Sequence, residues 1–507
     1  MRRGFASGIH PGWRVLRFVL LAWLVVTVLV VLGSAFSARA LPDLSPWHRW
    51  TFENEPGAGQ LRDMDWAGYL RAEQAVFEEL RAHLAAEPRP GRYRYETQSP
   101  LGARDGATDW NRSQLLSPEG EVRGAVLMLH GMSDSPYSLR HLAEVYRARG
   151  FVVLIPRMPG HGTAPSGLRS AQWMDWLATV ELAAREVRAR IGDDKPFHLV
   201  GYSNGAALGL KYAMDRAEEG DGAALPVPDR LVMVSPMIGI GRLAAFSRLM
   251  PLLGWMPYFE KSRWLDVQPE FNPFKYNSFP VNGVRQSWLL VGAVQTQLLQ
   301  LRATGRSDRL PPILAFQSVL DGTVSTEAVV RNLFDPLPAN GSELVLFDIN
   351  RQGVLAPMLR RSASAMLDDL QPGEAFAYRL TVVGNVDADS ANVAERRREP
   401  GQREAVLRPL VFMYPPNVYS LSHVALPFPP DDPLYGLSPR TDEDFGIRLG
   451  NLALHGERGA LSVGTDQLLR LGSNPFYGYL ATRIDEAIEA DLPPQQMNQV
   501  HLRVWQD

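Results

Sequence analysis

An α/β fold, with a mostly parallel central sheet flanked by helices, is predicted by two features of the sequence. Between Arg123 and Phe347 six short, uninterrupted apolar runs recur: "AVLMLHG", "FVVLIPR", "FHLVGYS", "LVMVSP", "ILAFQSV" and "ELVLF". Runs without alternation fit strands buried on both faces, which is how parallel sheets are built when helices form the crossovers. Helical stretches lie between several of the runs, and Gly150, Gly192 and Gly220 follow three of them as helix C-caps.

The chain of 507 residues is 45% hydrophobic and 21% charged, enough apolar content for a large core. A net charge of −3 gives no electrostatic footprint for nucleic acid, so no nucleic-acid partner is expected. The densest basic run, "AERRREPGQRE" from Ala394, is interleaved with acids and reads as a solvated loop. The absence of cysteine excludes disulfides, thiol nucleophiles and cysteine metal sites. No cluster of His, Asp and Glu has convincing ligand spacing and no nucleotide-binding glycine loop is present, so neither a metal nor a cofactor is expected.

Residues 1–40 read as a membrane segment. "FVLLAWLVVTVLVVLGSAF", Phe18 to Phe36, is uncharged and about long enough as a helix to cross a bilayer. Arg2, Arg3, Arg14 and Arg17 precede it and Arg39 alone follows closely, which keeps the N-terminus cytoplasmic and sends the rest across. "ARA" at Ala38 to Ala40 has the small-x-small pattern of a signal-peptidase site, but the apolar run exceeds a usual signal core. A retained transmembrane helix with a periplasmic or extracellular domain is the expectation.

Residues 41–112 form an N-terminal extension. Trp66, Tyr69, Leu70, Phe77, Leu80 and Leu84 fall at helical spacing behind Asp65, a residue suited to the N-cap. The helix is expected to dock on the domain that follows. Residues 113–236 and 312–350 supply the strands just named, and 237–311 form an insertion between them. Its stretch "LAAFSRLMPLLGWMPYFEKSRWL", from Leu243, is apolar and aromatic, as a helical cap over a hydrophobic pocket would be. Residues 351–405 form a second insertion, with a strand in "AYRLTVVG", and 406–507 complete the core.

The chemistry starts at "FHLVGYSNGAAL", Phe197 to Leu208. Gly201-Tyr202-Ser203-Asn204-Gly205 matches G-x-S-x-G, a weak signal alone that gains weight from the apolar strand before it and the small-residue helix after it. A serine hydroxyl attacks only when a base removes its proton and a third group fixes that base. Asp321 ends the run "PPILAFQSVLDGTV" before a turn glycine and is the candidate acid, with Asp348 in "LVLFDIN" as fallback. Of ten histidines, His423, His455 and His501 follow the last of the six apolar runs, and His423 sits in the polar turn of "NVYSLSHVALPF". It is the candidate base, though about seventy residues separate it from that strand. The backbone N–H groups of Met132 and Asn204 are the candidate oxyanion donors. His130, at a strand end before the serine, is expected to organise its loop.

Together "LHGMSDSP", "PRMPGHGTAPSGL", "GYSNG", "SVLDGTV" and "SLSHVALP" resemble the serine α/β-hydrolases near bacterial carboxylesterases and monoacylglycerol lipases, a group that also includes serine aminopeptidases. The resemblance implies an α/β-hydrolase fold and a triad of Ser203, Asp321 and His423, with Met132 and Asn204 at the oxyanion. It also implies that His161 organises a loop. The activity it implies is hydrolysis of hydrophobic carboxylic esters or lipids through an acyl-enzyme. Two alternatives stand beside it: a peptidase or amidase on the same residues, and a non-catalytic binding protein that keeps the fold.

Overall fold

The computed structural model describes residues 13, 16–23, 25, 41–102, 108–220, 225–239, 257–361, 375–452 and 468–493, with isolated positions 365, 367 and 464. The strands, in chain order, are β1 (Gln114–Leu116), β2 (Gly124–Leu129), β3 (Phe151–Ile155), β4 (Phe197–Tyr202), β5 (Arg230–Val234), β6 (Trp264–Asp266), β7 (Phe279–Pro280), β8 (Ile313–Ser318), β9 (Glu343–Phe347), β10 (Arg379–Asn385), β11 (Asn392–Arg398) and β12 (Val406–Met413). Ten form one sheet in the order β1-β3-β2-β4-β5-β8-β9-β10-β11-β12, parallel from β3 through β10. β1, β11 and β12 run antiparallel to their neighbours.

All six apolar runs form strands of this sheet, and β2, β3, β4, β8 and β9 are buried along their full length. Side chains alternate between two cores because successive residues of a strand point to opposite faces. Leu231 and Met233 of β5 enter one core, which Leu182 and Leu210 of the flanking helices Trp173–Ile191 and Asn204–Glu219 complete. Val232 and Val234 enter the other, with Leu142 of helix Arg140–Ala148 and Leu480 of helix Tyr477–Asp491.

The expected N-terminal helix spans Trp66–Ala86, and the Asp65 carboxylate caps it by accepting the Gly68 N–H at 2.7 Å. Trp66, Tyr69 and Phe77 are buried, whereas Leu70 points to solvent. Two polar contacts, missed by the apolar pattern, fix the helix. The Tyr69 hydroxyl donates to the Arg157 carbonyl, and the Glu73 carboxylate meets the fully buried Arg157 guanidinium at 3.3 Å. Arg157 also pairs with Glu55 at 2.7 Å, so one cation ties the extension to the loop after β3.

One sequence expectation needs correction beyond β9. The basic run from Ala394 is not a loop: Ala394–Arg398 belong to β11, where Glu395 is buried against Arg397 at 3.2 Å and accepts from the Tyr479 hydroxyl at 2.7 Å. The high charge of the run hid a strand whose Glu395 and Arg397 are paired with each other rather than hydrated. The sheet also continues past β9, through the strand expected in the second insertion. The stretch "AYRLTVVG" supplies β10, and β10 to β12 widen the sheet before the chain returns to His423.

Among the described residues, no helix is long and apolar enough to cross a membrane. The expected transmembrane helix, 18–36, lies mostly outside them, as does 240–256 of the expected cap. The described part of that cap contains the β6-β7 pair and the helix Val281–Ala303, which packs on the helix that begins at Asn204.

Candidate active site

Ser203 occupies the turn between β4 and the helix Asn204–Glu219, with φ 55° and ψ −115°. This left-handed backbone is costly for a residue with a β-carbon and persists where its surroundings determine it. Here they do: the Ser203 N–H donates to Val234 at 2.9 Å, and its carbonyl accepts from Met237 at 3.2 Å. Both flanking glycines are required. A β-carbon on Gly201 would strike the Ala206 backbone, and one on Gly205 would strike the Leu129 carbonyl.

Asp321 follows β8 and His423 opens a short 3₁₀ turn, and the structure brings them together: His423 Nδ1 lies 2.9 Å from Asp321 Oδ2 across 102 residues of chain. Burial alone would raise the Asp321 pKa. The facing imidazole and the backbone N–H groups of Thr323 and Val324, at 2.8 and 2.9 Å on Oδ1, outweigh burial and hold it below the usual carboxylate range. An ionised carboxylate only accepts, so Nδ1 must carry the proton, and the lone pair of the neutral ring is then on Nε2. The imidazole ring sits 5.5 Å from the ring of Tyr202, the residue before Ser203. The fallback acid, Asp348, is engaged elsewhere, with Arg351 at 2.5 Å. His455 and His501 lie outside the described residues.

Asn204 opens its helix, where the N–H groups of the first turn have no intrahelical acceptor. Its side chain accepts from Ser287 of the helix Val281–Ala303 at 3.1 Å, joining cap and elbow. Met132 lies in the loop after β2, near enough to the same cap helix that a β-carbon on Gly283 would be 3.8 Å from its sulfur. His130 holds this loop: its Nδ1 bonds the Gly131 carbonyl at 2.9 Å, and its Nε2 accepts from the Met158 N–H at 3.1 Å. Burial pushes its pKa down to about 4, so the ring is neutral and occupied with two loops. His161 packs edge-on against it at 5.0 Å and bonds the Pro159 carbonyl, matching its expected loop-organising place. Asp134, in the same loop, is pushed upward by burial against the pull of Lys275, 3.3 Å away on the cap side.

Sequence reading missed Gln317, whose Nε2 donates to Asp321 Oδ2 at 3.0 Å, and Ser318, whose hydroxyl donates to the Leu421 carbonyl at 2.8 Å. The available signal was two polar residues closing the otherwise apolar strand "ILAFQS". Among the described residues, no group of three or more His, Asp or Glu could hold a metal ion.

A serine in a strained strand-to-helix turn, a histidine–carboxylate pair whose imidazole lies by the neighbouring Tyr202, and helix-end N–H groups form a layout suited to acyl transfer. Residues 126–376 match the alpha/beta hydrolase family. An 88-residue stretch is 35% identical to the thermostable monoacylglycerol lipase of Bacillus sp. (strain H-257), covering 17% of this chain and 34% of that one. The match thus spans about a third of the relative's length. Similar solved structures include a metagenome-derived lipolytic enzyme of the LipS and LipT study, 20% identical, covering 51% of this chain and 98% of that one at a TM-score of 0.37. Another is a soluble variant of the Saccharomyces cerevisiae monoglyceride lipase, 13% identical over 46% of this chain and 81% of that one, also at 0.37. Over residues 126–376 the chain is similar to the alpha/beta hydrolases, and over 88 residues to a monoacylglycerol lipase.

Proposed function

We propose that this protein is a serine hydrolase that cleaves hydrophobic carboxylic esters through an acyl-enzyme. The observation that carries the reading is the 2.9 Å bond from His423 Nδ1 to Asp321, on an imidazole that packs against the residue next to Ser203. His423 Nε2 takes the Ser203 proton as Oγ bonds the ester carbonyl carbon. The oxyanion so formed accepts from the N–H groups of Met132 and Asn204. Collapse breaks the bond to the alcohol, which leaves with the proton from Nε2. Water, deprotonated by the same nitrogen, then releases the acid and restores Ser203.

An apolar cap favours acyl chains, and the relative's printed name, monoacylglycerol lipase, supports the same substrate class. The test uses the full chain in detergent, labelled with a fluorophosphonate and assayed on p-nitrophenyl esters of increasing chain length beside Ser203→Ala. Loss of label and turnover together in the variant is the expected result. Undiminished turnover in Ser203→Ala would sink the reading, and an aminoacyl amide cleaved faster than every ester would favour the peptidase alternative.

The same reading places the catalytic domain outside the cytoplasm on a retained N-terminal anchor, supported by the arginine asymmetry around 18–36. Protease treatment of intact cells or spheroplasts should digest the domain while the N-terminus stays protected. Digestion only after lysis of the inner compartment would reject that topology.

A further inference from the structure

The histidine reaches Asp321 only after the chain has built β10 to β12, and the segment that carries it has no regular secondary structure between Met413 and His423. Its register is set by three anchors. The Tyr414 hydroxyl donates to the Asp348 carbonyl. Asn350 then takes two consecutive carbonyls, donating its backbone N–H to Tyr419 at 2.8 Å and its Nδ2 to Val418 at 3.0 Å. Last, the Ser318 hydroxyl donates to the Leu421 carbonyl at 2.8 Å, two residues before His423.

Ser318 also belongs to the acid's support. Its own carbonyl accepts from Thr326 Oγ1 at 2.8 Å, Thr326 accepts from Gln317 Nε2 at 3.1 Å, and the same Nε2 donates to Asp321 Oδ2 at 3.0 Å. Asn350 is likewise braced, since its Oδ1 accepts from Asn385 of β10 at 3.2 Å. Ser318 and Asn350 are 1% and 0% exposed, and neither lies where a reacting atom could touch it. An exposed loop would not need such anchors; a base that must present Nε2 within a fraction of an ångström does.

We infer that Ser318 and Asn350 are positioning residues: they clamp the Val418–Leu421 backbone so that His423 meets Asp321 and turns its free nitrogen to the serine. This rests on the reading of His423 as the base. The clamp is a property of this chain's detour through β10 to β12, because the strand end and the histidine are joined by hydrogen bonds rather than by a short loop.

The test compares Ser318→Ala, Ser318→Thr and His423→Ala in the full chain, with Asn350→Ser as a second lesion in case either buried variant fails to fold. Ser318→Ala should lower kcat about ten- to a hundredfold with KM within about twofold of wild type. Ser318→Thr, which keeps the hydroxyl, should restore most of kcat. The low-field NMR proton of the His423–Asp321 hydrogen bond should be lost or broadened in Ser318→Ala and return in Ser318→Thr. A general loss of stability would leave that proton in place in the folded fraction. Wild-type kcat and an unchanged proton in folded Ser318→Ala or Asn350→Ser, with His423→Ala inactive, would overturn the clamp alone. An active His423→Ala would overturn the reading of the base, and the clamp with it.

Discussion

Gly205 sits so close to Leu129 that a single methyl on its α-carbon would overlap the Leu129 carbonyl oxygen. The approach lets the helix after Ser203 begin directly against β2, with the serine held on the turn between. Gly205→Ala must push backbone against backbone, which no rotamer change relieves. A destabilisation of about 3 kcal/mol is expected from overpacking of this kind. Urea unfolding checks it: a midpoint equal to wild type would mean the elbow is looser than described.

Asp321→Asn should leave the fold intact and cost about 10³ to 10⁴ in kcat, because an amide can donate to Nδ1 and so favours the wrong tautomer of His423. Steady-state kinetics with a short p-nitrophenyl ester beside thermal melts would separate this from unfolding. Asp348→Asn should leave kcat within about threefold, since its carboxylate serves Arg351 instead. Equal losses in both variants would contradict the assignment of the acid.

Removing Arg157 strands Glu73, whose side chain is 4% exposed, and leaves a buried charge uncompensated. Arg157→Ala should therefore cost about 3–5 kcal/mol. Limited proteolysis should cut within Trp66–Ala86 first, as that helix loses its polar tether. Wild-type resistance to protease would show that the apolar face alone holds the extension.

Acid should destabilise the fold above the ordinary carboxylate range. Burial pushes His48 and His130 each down to about 4, so between about pH 6.5 and 4 the unfolded chain takes up protons that the folded chain refuses. Stability is full above 6.5 and falls as pH drops, by up to about 3 kcal/mol per histidine. His161, driven well below its ordinary value, acts in the same direction. Glu270 opposes them: burial raises it to about 7, so its contribution is lost as pH rises from about 4.5. His198 is lowered by burial with the other histidines, while Asp134, Asp175, Glu181 and Asp335 are raised in the same sense as Glu270. The histidines set the sign, and Tm should decline from pH 7 to 4.5. A flat or rising Tm over that range would refute the balance.

The parallel core was legible because its strands are buried on both faces and leave unbroken apolar runs. The serine's turn was legible for a steric reason, since only glycine fits at 201 and 205. Beyond β9 the signal failed for physical reasons. β12 is an edge strand with Val411 almost fully exposed, and β11 ends in the charged run Glu395 to Arg398, in which Glu395 is paired inside while Arg396 reaches the Asn385 and Val386 carbonyls. Ser318 showed only as a polar residue closing an apolar strand, and the roles of Ser318 and Asn350 stayed hidden because the carbonyls they bond are ones that any sequence supplies.

The 102 residues that separate Asp321 from His423 also impose an order in time. A ribosome adding about 5–20 residues per second delivers the histidine some 5–20 s after the acid, and the serine's turn is complete long before either. During that interval, if Ser203 and His423 act as proposed, the nascent chain holds the nucleophile's turn with no base to activate it. On the proposed reading the enzyme is thereby silent while it is being made, and becomes competent only when the detour through the last three strands has closed.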